Sequence, residues 1–230
     1  NAIENSDVVI NRCGILFENR KQKFDSIHGD IPESIAKLCA QSKVKKFIHV
    51  SAIGASKDSK SKYQQSKFLG EEKALNNFNK TVIIRPSVVI GNEDNFTNLF
   101  AKLSLSPIIP VVNVNYKFEP IFVNDVARAI LKAIETKNNE GKIYELGGGR
   151  VISFGDMIKL ILSTIGKKRI VADVPMTLAK IQSSLLSILP IDPIITKDQC
   201  LILSEKDNVV SGDHLTLKDL NIKPTDIEKE

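Results

Sequence analysis

Cysteine is scarce in this chain. Cys13, Cys39 and Cys200 are the three among 230 residues, and they stand far apart. There is no Cys-x-x-Cys pair and no His-rich spacing, so no zinc or other metal site is expected. Three free thiols fit a reducing compartment. Aromatic residues are only 6%, and no block of one charge exceeds three residues. The dense basic stripe with interleaved aromatics that marks many nucleic-acid binders is therefore lacking. The net charge of +5, from 32 basic and 27 acidic residues, is scattered over Lys43, Lys45 and Lys46, over Lys57, Lys60 and Lys62, and over Lys167, Lys168 and Arg169. That allows no more than weak attraction to an anionic surface or an acidic partner. No apolar run reaches the ~18 residues of a membrane span, and no signal peptide is read. The first residue is Asn1 rather than Met, which reads as a removed start or a fragment.

What is present is ordinary globular composition, 42% hydrophobic and 26% charged, enough for one large domain or two small ones. Asp7 to Asn11 reads as a buried strand running into a turn at Gly14. Phe24, Ile27, Ile31, Ile35, Leu38 and Cys39 recur at helical steps, with Pro32 as a kink or break. Phe47 to Val50 is a second strand, Tyr63 to about Phe78 a helix, and Thr81 to Ile84 a third strand. This alternation predicts parallel pairing through crossovers. Beyond Arg85 the rhythm changes. Asp94 or Asn95 is expected to cap a helix, Pro107 and Pro110 to break the chain, and Phe118 to Val123 to be extended. Asn124 is expected to cap a helix, Lys142 to Leu146 to form a short strand, and Ser153 to cap Phe154 to Ile165. Ile170-Val171 reads as a short strand, and Leu178 to Leu189 as a helix packing inward.

The chemistry is expected around Ser51, Tyr63 and Lys67. Residues i and i+4 share a helix face, so Tyr63 stacks over Lys67. A phenol has an ordinary pKa of about 10. A nearby ammonium favours the phenolate and lowers that value, so the pair can move a proton to or from a hydroxyl. A solvated helix face explains a lone Tyr-x-x-x-Lys equally well. The ordered set is more specific: a strand ending in Ser51, the Tyr63/Lys67 helix, then a strand ending in Arg85-Pro86-Ser87.

That set resembles the short-chain dehydrogenase/reductase superfamily in its extended or atypical branch. A narrower likeness covers almost the whole chain. Arg85 to Phe96, Pro120 to Ala127, Tyr144 to Gly148 and Asp207-Asn208-Val209-Val210 resemble the NAD(P)-binding accessory subunit of respiratory complex I and its bacterial epimerase/dehydratase-like relatives. The resemblance implies an α/β fold: a partial Rossmann-like parallel sheet, the later half of a doubly wound fold, with a smaller C-terminal α/β substrate-type lobe. The implied division is 1–92 and 93–230, the second interleaved with the first.

The resemblance also implies roles. Tyr63 is the general acid/base; Lys67 binds the nicotinamide ribose and lowers the Tyr63 pKa; Ser51 supplies the strand-tip hydroxyl. Asn11 to Gly14, with Ser51, Tyr63, Lys67, Arg85, Pro86 and Ser87, line NAD or NADP. Asp125 opens the helix of the substrate half or caps it, and His28 sits beneath the site as a spacer. Ala52 stands where related enzymes also carry a hydroxyl, and Arg12 where an apolar residue is expected. The glycine-rich fingerprint of the first strand-helix turn, which lets backbone N–H groups approach the pyrophosphate, does not occur in these residues. The chain thus reads as starting just before the fourth strand, with dinucleotide binding impaired. Three functions follow as expectations: a complex I accessory or assembly type subunit with a structural nucleotide, an active NAD(P)-dependent reductase, epimerase or dehydratase, or a non-functional piece of a split gene. The expected setting is cytoplasmic or matrix-side, peripheral to the inner membrane, with complex I subunits as partners.

Overall fold

The computed structural model describes residues 3–179 and 195–228. Four parallel strands, β1 (Val8–Asn11), β2 (Lys46–Val50), β3 (Thr81–Pro86) and β8 (Ile143–Leu146), form a sheet in the order β1-β2-β3-β8. Val9 lies beside Phe47, Ile48 beside Val82, and Ile84 beside Tyr144. The apolar runs of β2 and β3 are buried on both faces, as internal parallel strands require. On one face α1 (Ile31–Gln41) and α2 (Lys62–Asn77) bury Ala36, Cys39, Ala74 and Phe78 against Phe47. On the other, α4 (Val123–Glu135) and a 3-10 turn at Leu217–Leu220 bury Ala129, Ala133, Leu217 and Leu220 against Ile48, Val82 and Ile84. β1 is an edge strand, and its Ile10, on the α4 face beside Ile48, is 46% exposed.

One polar residue ties the sheet to α4. Lys46 is buried, and its ammonium donates to the carbonyls of Ala133, Ile134 and Thr136 and to Asn139 Oδ1 at 3.0, 3.1, 2.6 and 2.7 Å. The last carbonyls of a helix have no intrahelical donor, and a cation there suits the helix dipole.

Three two-stranded sheets lie outside the four-stranded one. β5 (Ile108–Val112) runs parallel to β10 (Ile170–Val174), and β4 (Val89–Ile90) parallel to β7 (Ile121–Phe122). β6 (Lys117–Phe118) is antiparallel to β9 (Ile152–Ser153). With α3 (Asn95–Leu103) and α5 (Phe154–Thr164), β5, β6, β9 and β10 enclose a core in which Phe96, Phe100, Phe118 and Phe154 meet ring to ring, while Val89 of β4 and Ile121 of β7 pack in the core of the four-stranded sheet. Asp94 and Ser153 cap α3 and α5 as expected.

Several expectations needed correction. Pro32 does not break its helix: a π-helical turn, Asp25–Asp30, runs straight into α1, and Pro32 occupies the first turn, where a missing N–H is tolerated. Pro110 lies inside β5, which among the described residues pairs only with β10; an edge position leaves room for a residue without an N–H. The extended stretch at 118–123 is two short strands divided at Glu119-Pro120. Asn124 does not cap α4, which begins at Val123 with Phe122 flanking it and no side-chain cap. Of the helix expected at Leu178 to Leu189, only the first two positions lie within the described residues.

Candidate functional site at the C-terminal ends of β1 and β2

The carboxyl ends of parallel strands are where open α/β sheets place ligands. At the end of β1, Asn11 is buried, and its Oδ1 accepts from Cys13 N at 3.1 Å. That fixes the amide, so Asn11 Nδ2 donates to His49 Nδ1 at 3.2 Å. The proton of His49 then sits on Nε2, a buried atom with no partner among the described residues. Just past the end of β2, Ser51 is 5% exposed, and its Oγ likewise has no partner among the described residues.

Helix α2 brings up Tyr63 and Lys67. Ser61 caps it, accepting from Gln64 N at 3.3 Å. Asp198, far along the chain, accepts from Lys62 N and Tyr63 N at 2.7 and 3.1 Å and from Ser61 Oγ at 2.7 Å. Glu205 accepts from Lys60 N and Ser59 Oγ at 2.6 and 2.7 Å. Asp198 thus sits on the first N–H groups of the helix, where its dipole favours negative charge, and Glu205 holds the loop that leads into it. Neither has a local sequence signal, because the partners lie more than a hundred residues away.

Lys67 donates to Val50 O, at the tip of β2 next to Ser51, at 2.9 Å. Val50 takes one of its three donors. Burial pulls Lys67 down to about 8, against the opposing pull of Glu71 and Cys13. Tyr63 keeps part of its surface open, yet burial pushes its phenol up to about 12. The expected lowering of Tyr63 by Lys67 does not occur in this arrangement. The ammonium is turned to the strand tip, and burial favours the neutral form of both groups.

Gly14 joins the cluster. A methyl placed on it would sit 3.6 Å from His28 Nε2 and 3.9 Å from Lys67 Nζ, so its bare Cα lies over both. The sequence signal for His28 was its place on the helix beneath the site. The structure adds that it touches Tyr63 edge-on, with ring centroids 5.4 Å apart.

The residues after β3 go elsewhere. Arg85 is buried and bidentate to Glu71, Nε at 2.9 Å and Nη2 at 2.6 Å, with Glu145 at 3.7 Å and His214 Nε2 at 3.2 Å. Pro86 ends β3, and its carbonyl accepts from Ile53 N at 3.0 Å. Ser87 Oγ donates to Asn208 Oδ1 at 2.6 Å, and Val88 N to the same oxygen at 3.2 Å. Asn208 also exchanges backbone hydrogen bonds with Lys117 and Glu119, so the Asp-Asn-Val-Val segment fastens the chain after β3 to the β6 stretch. Asp125 is fully buried and accepts from Thr225 N and Oγ at 2.6 and 2.9 Å, with Arg128 as its ion-pair partner. Burial works to raise its pKa, but the Thr225 N–H, Arg128 and the Thr225 hydroxyl outweigh it and hold the carboxyl below its usual range. It anchors the C-terminal segment rather than capping α4. Arg12 is exposed, and nothing in the structure explains it.

A parallel sheet, a serine at a strand tip and a Tyr-x-x-x-Lys helix packed beside it define the NAD(P)-binding α/β fold of the extended short-chain dehydrogenases/reductases. Residues 15–188 match the family described as RmlD substrate binding domain, and the chain belongs to that family. Among curated proteins it is 34% identical over its full length to the mitochondrial NADH dehydrogenase [ubiquinone] 1 alpha subcomplex subunit 9 of Dictyostelium discoideum, covering 64% of that protein. It is 32% identical over 99% of its length to the Mus musculus protein of the same name, covering 60% of it. The chain therefore spans somewhat under two thirds of these relatives. Solved structures agree on the fold. Gox2253 matches with TM-score 0.74 at 18% identity, over 99% of this chain and 77% of that one. A Bacillus cereus UDP-glucuronic acid 4-epimerase, solved with UDP-glucuronic acid and NAD, matches with TM-score 0.64 at 19% identity, over 88% and 75%. A dTDP-4-dehydrorhamnose reductase from Bacillus anthracis, in complex with NADP, matches with TM-score 0.62 at 18% identity, over 85% and 78%.

Proposed function

We propose that this chain acts as a complex I accessory or assembly type subunit, in which NAD or NADP serves the structure rather than turnover. The observation that carries this reading is the pair Tyr63 and Lys67, both driven toward their neutral forms by burial beside a strand-tip hydroxyl that has no partner among the described residues. A general base poised near neutrality needs the opposite shift of the phenol. The residues fit a dinucleotide end. Buried polar atoms are normally paired, and Ser51 Oγ is not. Lys67 has donors to spare for ribose hydroxyls, and the Asn11 to Gly14 turn is bare enough at Gly14 to lie along a cofactor. When bound, a nicotinamide supplies hydride transfer; Ser51 and Tyr63 would orient its substrate face, and Lys67 its ribose. Arg85 and Ser87 would act through the position of β3, since their side chains are engaged with Glu71 and Asn208. Dinucleotide affinity of these residues alone is weak, because no glycine-rich pyrophosphate turn occurs among them. The names of the curated relatives support complex I subunits as partners and a mitochondrial setting. Among the described residues no helix is long and apolar enough to cross a membrane.

A second reading, an active NAD(P)-dependent reductase, epimerase or dehydratase, is favoured by the placement of Ser51, Tyr63 and Lys67 around one strand tip. Tyr63→Phe in cells lacking the wild-type chain decides between the two. A structural role predicts retained complex I assembly and growth. Loss of either, with the variant protein at normal abundance, would transfer the assignment to catalysis.

A further inference from the structure

Helix α2 and the turn after β1 are separate pieces of chain that must keep a fixed spacing if they are to grip one ligand, and a single side chain spans them. His28 lies in the π-helical turn Asp25–Asp30 and is 1% exposed. Its Nε2 accepts from Ile15 N at 3.0 Å, in the turn after β1. Its Nδ1 lies 2.8 Å from Ser66 Oγ on α2. The hydroxyl of Ser66 donates its one proton to Tyr63 O at 2.8 Å, so Nδ1 must be the donor to Ser66. The hydrogen bonds are consistent with one state only: a neutral ring, proton on Nδ1, lone pair of Nε2 facing the Ile15 amide.

The seat for this ring is built. Phe24 stacks on it at 5.3 Å, and Tyr63 closes the other side edge-on at 5.4 Å. Gly70 lets the π turn lie directly on α2: a methyl there would come within 1.9 Å of the His28 carbonyl oxygen. The charged and titratable groups around the ring are Lys67 and Tyr63 from α2 and His49 from β2. A cation at position 28 would face the Lys67 ammonium in a buried setting, so a lysine or arginine would not replace this ring. Burial first, and Lys67 second, hold His28 down to about 4.

We propose that His28 is the positioning residue of this site, its neutral ring fastening the Gly14–Ile15 turn to the Tyr63–Ser66 turn of α2. The consequence for ligand binding rests on the nucleotide reading above; the fastening itself does not. The experiment uses the full chain labelled with 15N. Long-range proton–nitrogen correlation spectra at pH 7 are expected to show His28 protonated at Nδ1 and bare at Nε2, and the Ile15 amide is expected to exchange slowly. His28→Phe keeps the stack on Phe24 but has no nitrogen, and Ile15 exchange should then rise about tenfold or more. His28→Gln, which can offer an acceptor to Ile15, should restore most of that protection. Ser66→Ala removes the acceptor at Nδ1 and should mix the two tautomers, a signature that survives if His28→Phe fails to fold. NADPH added at millimolar concentration should shift the Ile15 amide in the wild type and less in His28→Phe. A proton on Nε2, a charged ring at pH 7, or Ile15 exchange indifferent to His28→Phe would overturn the proposal. The expected tautomer and exchange with no response to NADPH would instead overturn the nucleotide reading.

Discussion

Two polar regions lie one turn apart on the same stripe of α2, and they are finished differently. At Lys67 the neighbouring groups are left open: Ser51 Oγ and His49 Nε2 are buried without partners among the described residues. At Glu71 both carboxylate oxygens are taken by Arg85, whose remaining nitrogen faces Glu145 and His214. Burial is equal, since Ser51 is 5% exposed and Arg85 7%. Burial alone therefore does not distinguish a site from a structural cluster; the pairing does. Unpaired polar atoms in a low-dielectric interior cost stability. Their persistence at one end of the stripe fits a region kept for a ligand, and the closed network at the other fits one kept for the fold.

The contrast can be broken by mutation. Glu71→Gln strips the charge from a bidentate buried pair and leaves Arg85 short of a partner. We expect a loss of about 3–5 kcal/mol in urea unfolding. A loss below ~1 kcal/mol would mean that the closed end is no more structural than a surface pair. Next in size is the pH response. His28 is held down to about 4 and His49 to about 3, both by burial first, with Lys67 adding to each. Unfolded imidazoles take up a proton near 6.5, while the folded rings stay neutral. Their contribution is complete above pH 6.5 and is lost as pH falls toward 4, by up to about 1.4 kcal/mol per pH unit for each ring. Thermal melts between pH 6.5 and 4.5 should show a falling midpoint in the wild type and a shallower fall in His49→Asn. Parallel slopes would mean that the His49 ring is not kept neutral by burial. The smallest effect belongs to Ser51→Ala. Removing an unpaired buried hydroxyl should leave stability within about 1 kcal/mol of the wild type, on the stabilised side. A clear destabilisation in the same unfolding assay would show that Ser51 already has a partner within the fold.

Local patterns gave away much of this. The apolar runs at Phe47 and Thr81 are strands because little but a doubly covered parallel sheet buries such runs on both faces. Ser153 and Asp94 announced their helices because capping is a contact over three residues. Tyr63 and Lys67 were visible because helix geometry stacks residues four apart. Other features had no local trace. Arg85 was expected along the cofactor, but its partner Glu71 comes from the stripe of α2, and the pairing exists only once α2 packs on β3. Asp198 and Glu205 reach the start of α2 and the loop before it across more than a hundred residues. Asn124 had the right chemistry for a cap, but α4 takes Phe122 as its flanking residue, two positions earlier, and Asn124 lies inside the first turn.

By itself the sequence determined which segments are strands and helices, and that a phenol and an ammonium share one helical turn. Each of those depends on neighbours within a few residues. Tertiary packing alone decided what state those two groups adopt and which polar atoms stay unpaired. Desolvation and hydrogen-bond partnership depend on surfaces that meet only when distant elements close, and no pattern along the chain encodes where a side chain's last partner comes from.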